Sequence, residues 1–326
     1  MATMKAAVIH EAGGPEVLKL ETRPIPTPEK GKILIRVKAC GLNRSEMFTR
    51  QGFSPNVKFP RILGIEAVGL VVDAPGQEFQ KDDIVATAMG GLGRDFDGGY
   101  AEYTSVPAKQ VQKIKHQIPW ETLGAIPELF QTSWGSLFTA LDLQQGETLL
   151  VRGGTTSIGL AAAAIAKNYG CTVASTSRRA DREALLYANG ASEMFVDNGS
   201  IEGAVREKHP EGFDKVLELI GMTTLHDSLR CARPGGIVCM TGIVGNKWAV
   251  NDFNPMEVIP TGVRLTAYNG GPDNFIQTPL DSLVEQVAAG TLHVQIGKTF
   301  KLDQIVEAHQ TMEANKAGGK IVILMD

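Results

Sequence analysis

Along Lys32-Ile-Leu-Ile-Arg-Val-Lys-Ala39, the residues Ile33, Ile35, Val37 and Ala39 alternate with mostly polar neighbours. A period of two predicts a strand with one buried and one wet face. Ala67–Asp73, Ile84–Ala88 and Tyr100–Val106 read as further strands, parted by Ala74-Pro-Gly76 and Gly90-Gly91, which break regular elements. Residues 1 to about 120 therefore predict a curled, mostly antiparallel sheet.

From residue 122 the pattern changes. Short apolar runs at Thr148–Val151, Thr172–Ser175, Met194–Val196, Lys215–Leu219, Ile237–Met240 and Arg264–Ala267 alternate with helix-like segments, the first of them Ile158–Tyr169. Strands separated by helices of this length need crossovers, and right-handed crossovers build a parallel sheet. The expectation is an α/β chain whose doubly wound parallel-sheet domain, residues 122–270, is inserted in a mostly antiparallel β domain of residues 1–121 and 271–326. The tail returns to the first domain through helices near Thr278–Ala289 and Gln304–Ala314 and a strand at Lys320–Leu324.

Composition narrows the class. The chain has 326 residues, 43% of them apolar, and its 36 glycines are more than a globular chain of this length usually carries. A net charge of −4 without any block of like charge gives nucleic-acid binding no electrostatic support. The first ten residues hold an apolar run too short for a signal sequence, and the longest apolar stretch, Gly159–Ala166, is too short for a membrane helix. Four scattered cysteines without a CxxC pair suit a reducing compartment, so the expected location is the cytoplasm.

The sharpest local signal is Leu149-Leu-Val-Arg-Gly153-Gly154-Thr155-Thr156-Ser157-Ile158-Gly159, running into an Ala-rich helix. A strand entering a glycine-rich turn that opens a helix brings backbone close to a pyrophosphate and presents unpaired N–H groups at a positive helix end. Thr155, Thr156 and Ser157 add hydroxyls. Thr156 stands where GxGxxG has its central glycine, and the lysine of a triphosphate-binding loop is absent. A tight turn without a ligand is the plain alternative.

About 20 residues on, where an acidic side chain would hold the ribose hydroxyls of NAD, the chain reads Ser175-Thr-Ser177-Arg178-Arg179, with no carboxylate before Asp181. An arginine fork suits a 2′-phosphate, so NADPH is the expected cofactor. The alternative is a solvated basic edge of Arg178, Arg179 and Arg182.

In this order of parts the chain resembles the medium-chain dehydrogenase/reductase superfamily, and within it the zinc-free quinone oxidoreductase group. The resemblance spans nearly the whole length. It is carried by Cys40-Gly-Leu-Asn43-Arg-Ser-Glu, Ile62-Leu-Gly-Ile-Glu66-Ala-Val-Gly, Gly98-Gly-Tyr-Ala-Glu-Tyr103, the Gly153–Gly159 turn, Arg233-Pro-Gly-Gly236 and the Ala-Gly-Gly-Lys320 of the tail. It implies a GroES-like first domain around a Rossmann domain. Zinc-dependent relatives carry cysteine at the position of Asn43, a His-Glu pair at Ile65-Glu66 and a second cysteine near Glu128. The four-cysteine structural lobe is also missing from Ala86–Gly98, so no metal is expected.

By the same resemblance Asn43 lies at the nicotinamide and substrate end, with Arg44 and Ser45 beside it. Thr132 resembles the threonine that approaches the nicotinamide, and Thr241, Gly242, Ile243 and Val244 look like the loop under the ring. Asn43, Arg44 and Thr132 are thus the candidate catalytic residues. An Asx-type cap is the simpler role for Asn43, and an ordinary helix-start position is the simpler role for Thr132. Phe48 and Phe53 stand where some quinone oxidoreductases place tyrosines, which leaves the proton donor open among water, the cofactor ribose and Tyr100, Tyr103 or Tyr268, unless the reduction is a one-electron one. His116, His209, His293 and His309 read as solvated or capping, and Met47, Met89 and Met256 are candidates for a pocket lining.

The expected activity is NADPH-dependent reduction of quinones or α,β-unsaturated carbonyl compounds by hydride transfer. Two alternatives are a ketone or aldehyde reductase and a non-catalytic NADPH-binding protein. The resemblance also implies a homodimer through the edge strand near Val263–Tyr268.

Overall fold

The structure is a computed structural model and describes residues 2–55 and 57–325. Its chain divides into two compact units. One holds the chain through Gln131, Gly271–Gly290 and the segment from Ile296 onward; the other holds Thr132–Gly270 and Thr291–Gln295.

At the centre of the first unit runs the strand Lys32–Leu42, paired antiparallel with Glu66–Asp73, Tyr103–Pro107 and Lys320–Leu324. Ile33, Ile35, Val37 and Ala39 are at most 1% exposed, so the alternation in the sequence is a buried face. The sheet extends through Ile84–Ala88 to Val111–Lys113 on one side and to Ile296–Lys301 on the other. A smaller sheet sets Thr3–Ile9 between Lys19–Pro24 and Arg61–Ile62.

The strand expected from Tyr100 begins at Tyr103 instead. Tyr100 and Ala101 pair with the smaller sheet, through a hydrogen bond from the Ala7 N–H to the Tyr100 carbonyl and a bridge between Ala6 and Ala101. Tyr100 is thereby buried among Val8, Ile9, Ile62 and Ile305 in the core of this unit.

The second unit carries six parallel strands in the spatial order Glu193–Val196, Thr172–Ser177, Thr148–Arg152, Phe213–Glu218, Ala232–Met240, Arg264–Ala267. Counted along the chain this is the order 3-2-1-4-5-6 of a doubly wound dinucleotide fold, as the alternation of runs and helices predicts. Leu149, Leu150 and Val151 have no exposed surface, which is why this strand reads as an unbroken apolar run rather than an alternating one. In the helix Ser157–Asn168, Ala161–Ala164 and Ala166 are all buried, and such small side chains bring a helix close to its sheet.

Candidate functional site

In the second unit the sequence reverses direction across the sheet between Thr148–Arg152 and Phe213–Glu218. Ligands of open α/β sheets bind beyond the carboxyl ends of strands at such a switch point. All three groups of expected cofactor residues leave carboxyl ends of this one sheet: Gly153–Gly159, Ser177–Arg179 and Thr241–Val244.

Gly153 has φ 88°, a left-handed conformation suited to glycine. Its N–H donates to Thr176 Oγ1 and that of Gly154 to the Thr176 carbonyl, both at 3.0 Å. Thr156 caps the helix: its hydroxyl donates to the Gly153 carbonyl at 2.8 Å and accepts from the Gly159 N–H at 3.0 Å. That hydroxyl is thus spent inside the turn, which is what a threonine at the central-glycine position does here. Thr155, Ser157 and Ile158 line the half-buried mouth of the turn. A side chain at Gly159 would bring Cβ to 2.6 Å from the Gly153 carbonyl oxygen, so the close helix-to-turn approach depends on glycine.

The second strand ends at Ser177, whose hydroxyl accepts from the Arg179 N–H at 3.1 Å. Arg179 pairs with Asp181, Nε to Oδ1 at 2.8 Å. Arg178 is exposed and has neither ion pair nor side-chain hydrogen bond among the described residues. The nearby Asp197 is bound by Arg152 in a two-pronged pair at 2.9 and 3.0 Å. Burial pushes the Asp197 carboxyl up, and the Arg152 contacts outweigh it and hold the group below the usual range.

Thr241 and Gly242 donate their N–H groups to the Glu218 carbonyl at 2.9 and 3.2 Å, and Val244 donates to the Leu219 carbonyl at 3.2 Å, with Ile243 between them. The Thr241 hydroxyl lies 2.8 Å from that of Ser136, which in turn donates to the Thr132 carbonyl at 2.7 Å. Thr132 and Thr241 are thus brought together through Ser136, a residue the sequence reading passed over. Its only signal was a hydroxyl four residues beyond Thr132. Ser136 belongs to a π-helical stretch, Gly135–Ala140, continuing the helix Pro127–Trp134. Such widened turns recur at functional sites.

Beneath these loops lies a buried charge cluster. Arg152 binds Asp197 as above, Asp227 at 2.5 Å and Ser228 at 3.1 Å. Glu218 accepts from the N–H groups of Ile220 and Gly221 at 2.6 and 2.8 Å and from the hydroxyls of Thr224 and Ser228 at 3.0 and 2.5 Å.

In the first unit, Asn43 precedes the helix Arg44–Arg50, but its side chain makes no cap bond. Its amide nitrogen donates to Glu66 Oε1 at 2.9 Å and to Glu46 Oε1 at 3.2 Å, and its oxygen accepts from Lys320. Lys320 Nζ also lies 3.0 Å from Glu66 and 3.3 Å from Glu128. The other Glu66 oxygen accepts the Glu128 N–H at 2.8 Å. Burial alone would lower the Lys320 ammonium pKa, but Glu66 and Glu128 hold it above the ordinary value. Burial pushes Glu46 up to about 7, against the hydrogen bond from the Ile65 N–H.

Arg44 lies over the Phe48 ring at 5.6 Å, and Ser45 accepts from Arg94. Asn43 and Glu66 are therefore joined, while Arg44 and Ser45 take other partners. Where the resemblance places zinc ligands, the chain carries Asn43, Ile65, Glu66 and, nearby, Glu128, with the Lys320 ammonium among their oxygens; this set does not fit zinc. Among the described residues no three His, Cys, Asp or Glu side chains group as metal ligands.

Two further expectations are corrected. His309 is neither solvated nor capping: it is fully buried, edge-on to the Tyr100 ring at 5.8 Å, with no hydrogen-bond partner among the described residues on either ring nitrogen. Burial, and then Arg50, push it down to about 3. Met256 is 92% exposed and lines no pocket, whereas Met47 is buried. No helix among the described residues is long and apolar enough to cross a membrane.

Comparison with known proteins adds the family. Residues 29–116 match the family described as alcohol dehydrogenase GroES-like domain, and residues 189–323 match the one described as zinc-binding dehydrogenase. A quinone oxidoreductase of Lama guanicoe is 30% identical over 99% of this chain and 98% of its own. Two solved structures share the fold at 25–26% identity. A protein named NAD-dependent alcohol dehydrogenase has a TM-score of 0.89, covering 99% of this chain and 100% of its own. A mycobacterial protein complexed with NADPH has a TM-score of 0.87, covering 98% of this chain and 99% of its own.

Proposed function

The chain belongs to the quinone oxidoreductase group of the medium-chain dehydrogenase/reductase superfamily, and we propose that it is an NADPH-dependent reductase of quinones or α,β-unsaturated carbonyl compounds that works without a metal. The observation that carries the cofactor choice is the end of the strand Thr172–Ser177. An exposed Arg178 stands there without an ion pair among the described residues, and the buried carboxylate of Asp197, whose N–H donates to the Ser177 carbonyl, is occupied by Arg152. The mycobacterial neighbour bound to NADPH supports the same reading.

NADPH, when bound, supplies the hydride. The chain's own residues hold and orient. The turn Gly153–Gly159 and the first N–H groups of the helix Ser157–Asn168 receive the pyrophosphate, and Thr156 keeps the turn rigid by using its hydroxyl internally. Arg178 pairs with the adenosine 2′-phosphate, with Ser177 and Arg179 flanking it. Thr241–Val244 border the nicotinamide end, tied to Thr132 through Ser136. At the substrate end we assign Arg44 and Thr132 to substrate contact, and Asn43 to positioning, because both ends of its amide are held inside the cluster.

The strand Arg264–Ala267 lies at the edge of the parallel sheet, and we assign to it the contact of a homodimer in the cytoplasm. Steady NADPH oxidation with a panel of quinones, enals and saturated ketones tests the activity. Turnover of quinones or enals is expected. Turnover of saturated ketones alone would make it a ketone reductase, and background rates throughout would make it a binding protein.

A further inference from the structure

Around Lys320 the first unit has the composition of an oxygen-lined cation site whose cation is part of the chain. An ammonium has three N–H donors, and three acceptors surround it: Asn43 Oδ1, Glu66 Oε1 and Glu128 Oε2. Lys320 is 2% exposed and Glu66 fully buried. The register Ile321–Leu42 of the two antiparallel strands sets Lys320 one step further on, beside Asn43. The backbone is also cut back to admit it: a Cβ at Gly41 would lie 2.2 Å from Glu66 Oε1 and 2.5 Å from Lys320 Cε. Carboxylate and amide oxygens are the donors that hard divalent ions prefer.

We propose that Lys320 is a positioning residue whose ammonium takes the place of a metal ion, fixing Asn43 and Glu66 and through them Glu46. The charges that face it come from every element packed there: Glu46 on the helix Arg44–Arg50, Glu66 on its strand, Glu128 on the helix Pro127–Trp134. The neutral Cys40 and Tyr100 complete the surroundings. One cation thus stands against three carboxylates, and without it the cluster must take up protons or a foreign cation. This role is separate from the cofactor and substrate reading, since neither enters its test.

The experiment compares the full wild-type chain with Lys320→Met, following thermal unfolding from pH 5.5 to 8.5 with and without Mn²⁺, and metal content after dialysis against Mn²⁺. In Lys320→Met, melting about 10 °C below wild type at pH 8.5, recovery on acidification or with Mn²⁺, and retained manganese are expected; wild type retains none. A Lys320→Met chain that melts alongside wild type at every pH and ignores Mn²⁺ overturns the proposal. If Lys320→Met does not fold, Lys320→Met/Glu66→Gln removes a buried negative charge along with the cation. Recovery of folded protein in the pair supports the proposal, and failure to recover overturns it.

Discussion

Each unit contains a buried cluster in which a single cation, Lys320 or Arg152, faces three carboxylates, yet the two clusters are completed differently. In the second unit both oxygens of Asp197, Asp227 and Glu218 accept hydrogen bonds, from Arg152, from backbone N–H groups and from the hydroxyls of Thr176, Ser200, Thr224 and Ser228. In the first unit Glu46 Oε2 is buried with no hydrogen-bond partner among the described residues, as are the Tyr100 hydroxyl and both ring nitrogens of His309. A saturated network fixes one geometry, and here it underpins the loops assigned to the cofactor. An unsaturated one leaves groups whose protonation responds to pH. Burial lifts the Glu218 carboxyl as well, but against four donors, whereas Glu46 has few and reaches about 7.

The severest way to break this contrast is Arg152→Met. Removing the Arg152 cation from the saturated cluster leaves its three carboxylates buried without it, and a loss of about 3–5 kcal/mol is expected in urea unfolding. A loss below about 1 kcal/mol would show that the hydrogen bonds hold the cluster without Arg152.

Next in size is the pH response of the first unit. Glu46 titrates higher folded than unfolded, so the stability it contributes is present at low pH and lost as pH rises through about 7. His309 titrates lower folded than unfolded, so its contribution is present above the ordinary histidine value and lost as pH falls toward about 3. Between about pH 4.3 and 6.5 the two slopes oppose each other, each about 1.4 kcal/mol per pH unit. Urea unfolding at several pH values should show Glu46→Gln losing stability on acidification in that window and His309→Gln losing it on alkalinisation. Parallel curves for the two variants would remove the distinction between the clusters.

Smaller still is Gly159→Ala. Its Cβ meets a backbone oxygen rather than a flexible side chain, so the turn must shift, and NADPH binding should weaken about tenfold, or about 1.4 kcal/mol. Unchanged affinity by fluorescence titration would show that the turn tolerates the displacement.

Much of the fold was legible because periodicity reports burial directly: Ile33, Ile35, Val37 and Ala39 announced the central strand of one sheet, and Leu149–Val151 that of the other. Of the site, the phosphate turn was legible because its residues adjoin in sequence. The Lys320 cluster was not, since Asn43, Glu66, Glu128 and Lys320 meet only through strand register and a helix placed by tertiary packing. His309 misled because an amphipathic helix pattern does not say which polar residue turns inward, and Met256 because a single exposed helical turn, Pro255–Val258, is too short to carry a periodic signature.

Whether Arg178 selects the cofactor is decided by titrating protein fluorescence with NADPH and NADH, on the wild-type chain and on Arg178→Ala. NADPH should bind the wild type about ten- to a hundredfold more tightly than NADH, as a charge-assisted pair with the 2′-phosphate requires, and Arg178→Ala should narrow that gap. Equal affinities in the wild type, or a gap untouched by Arg178→Ala, would contradict it.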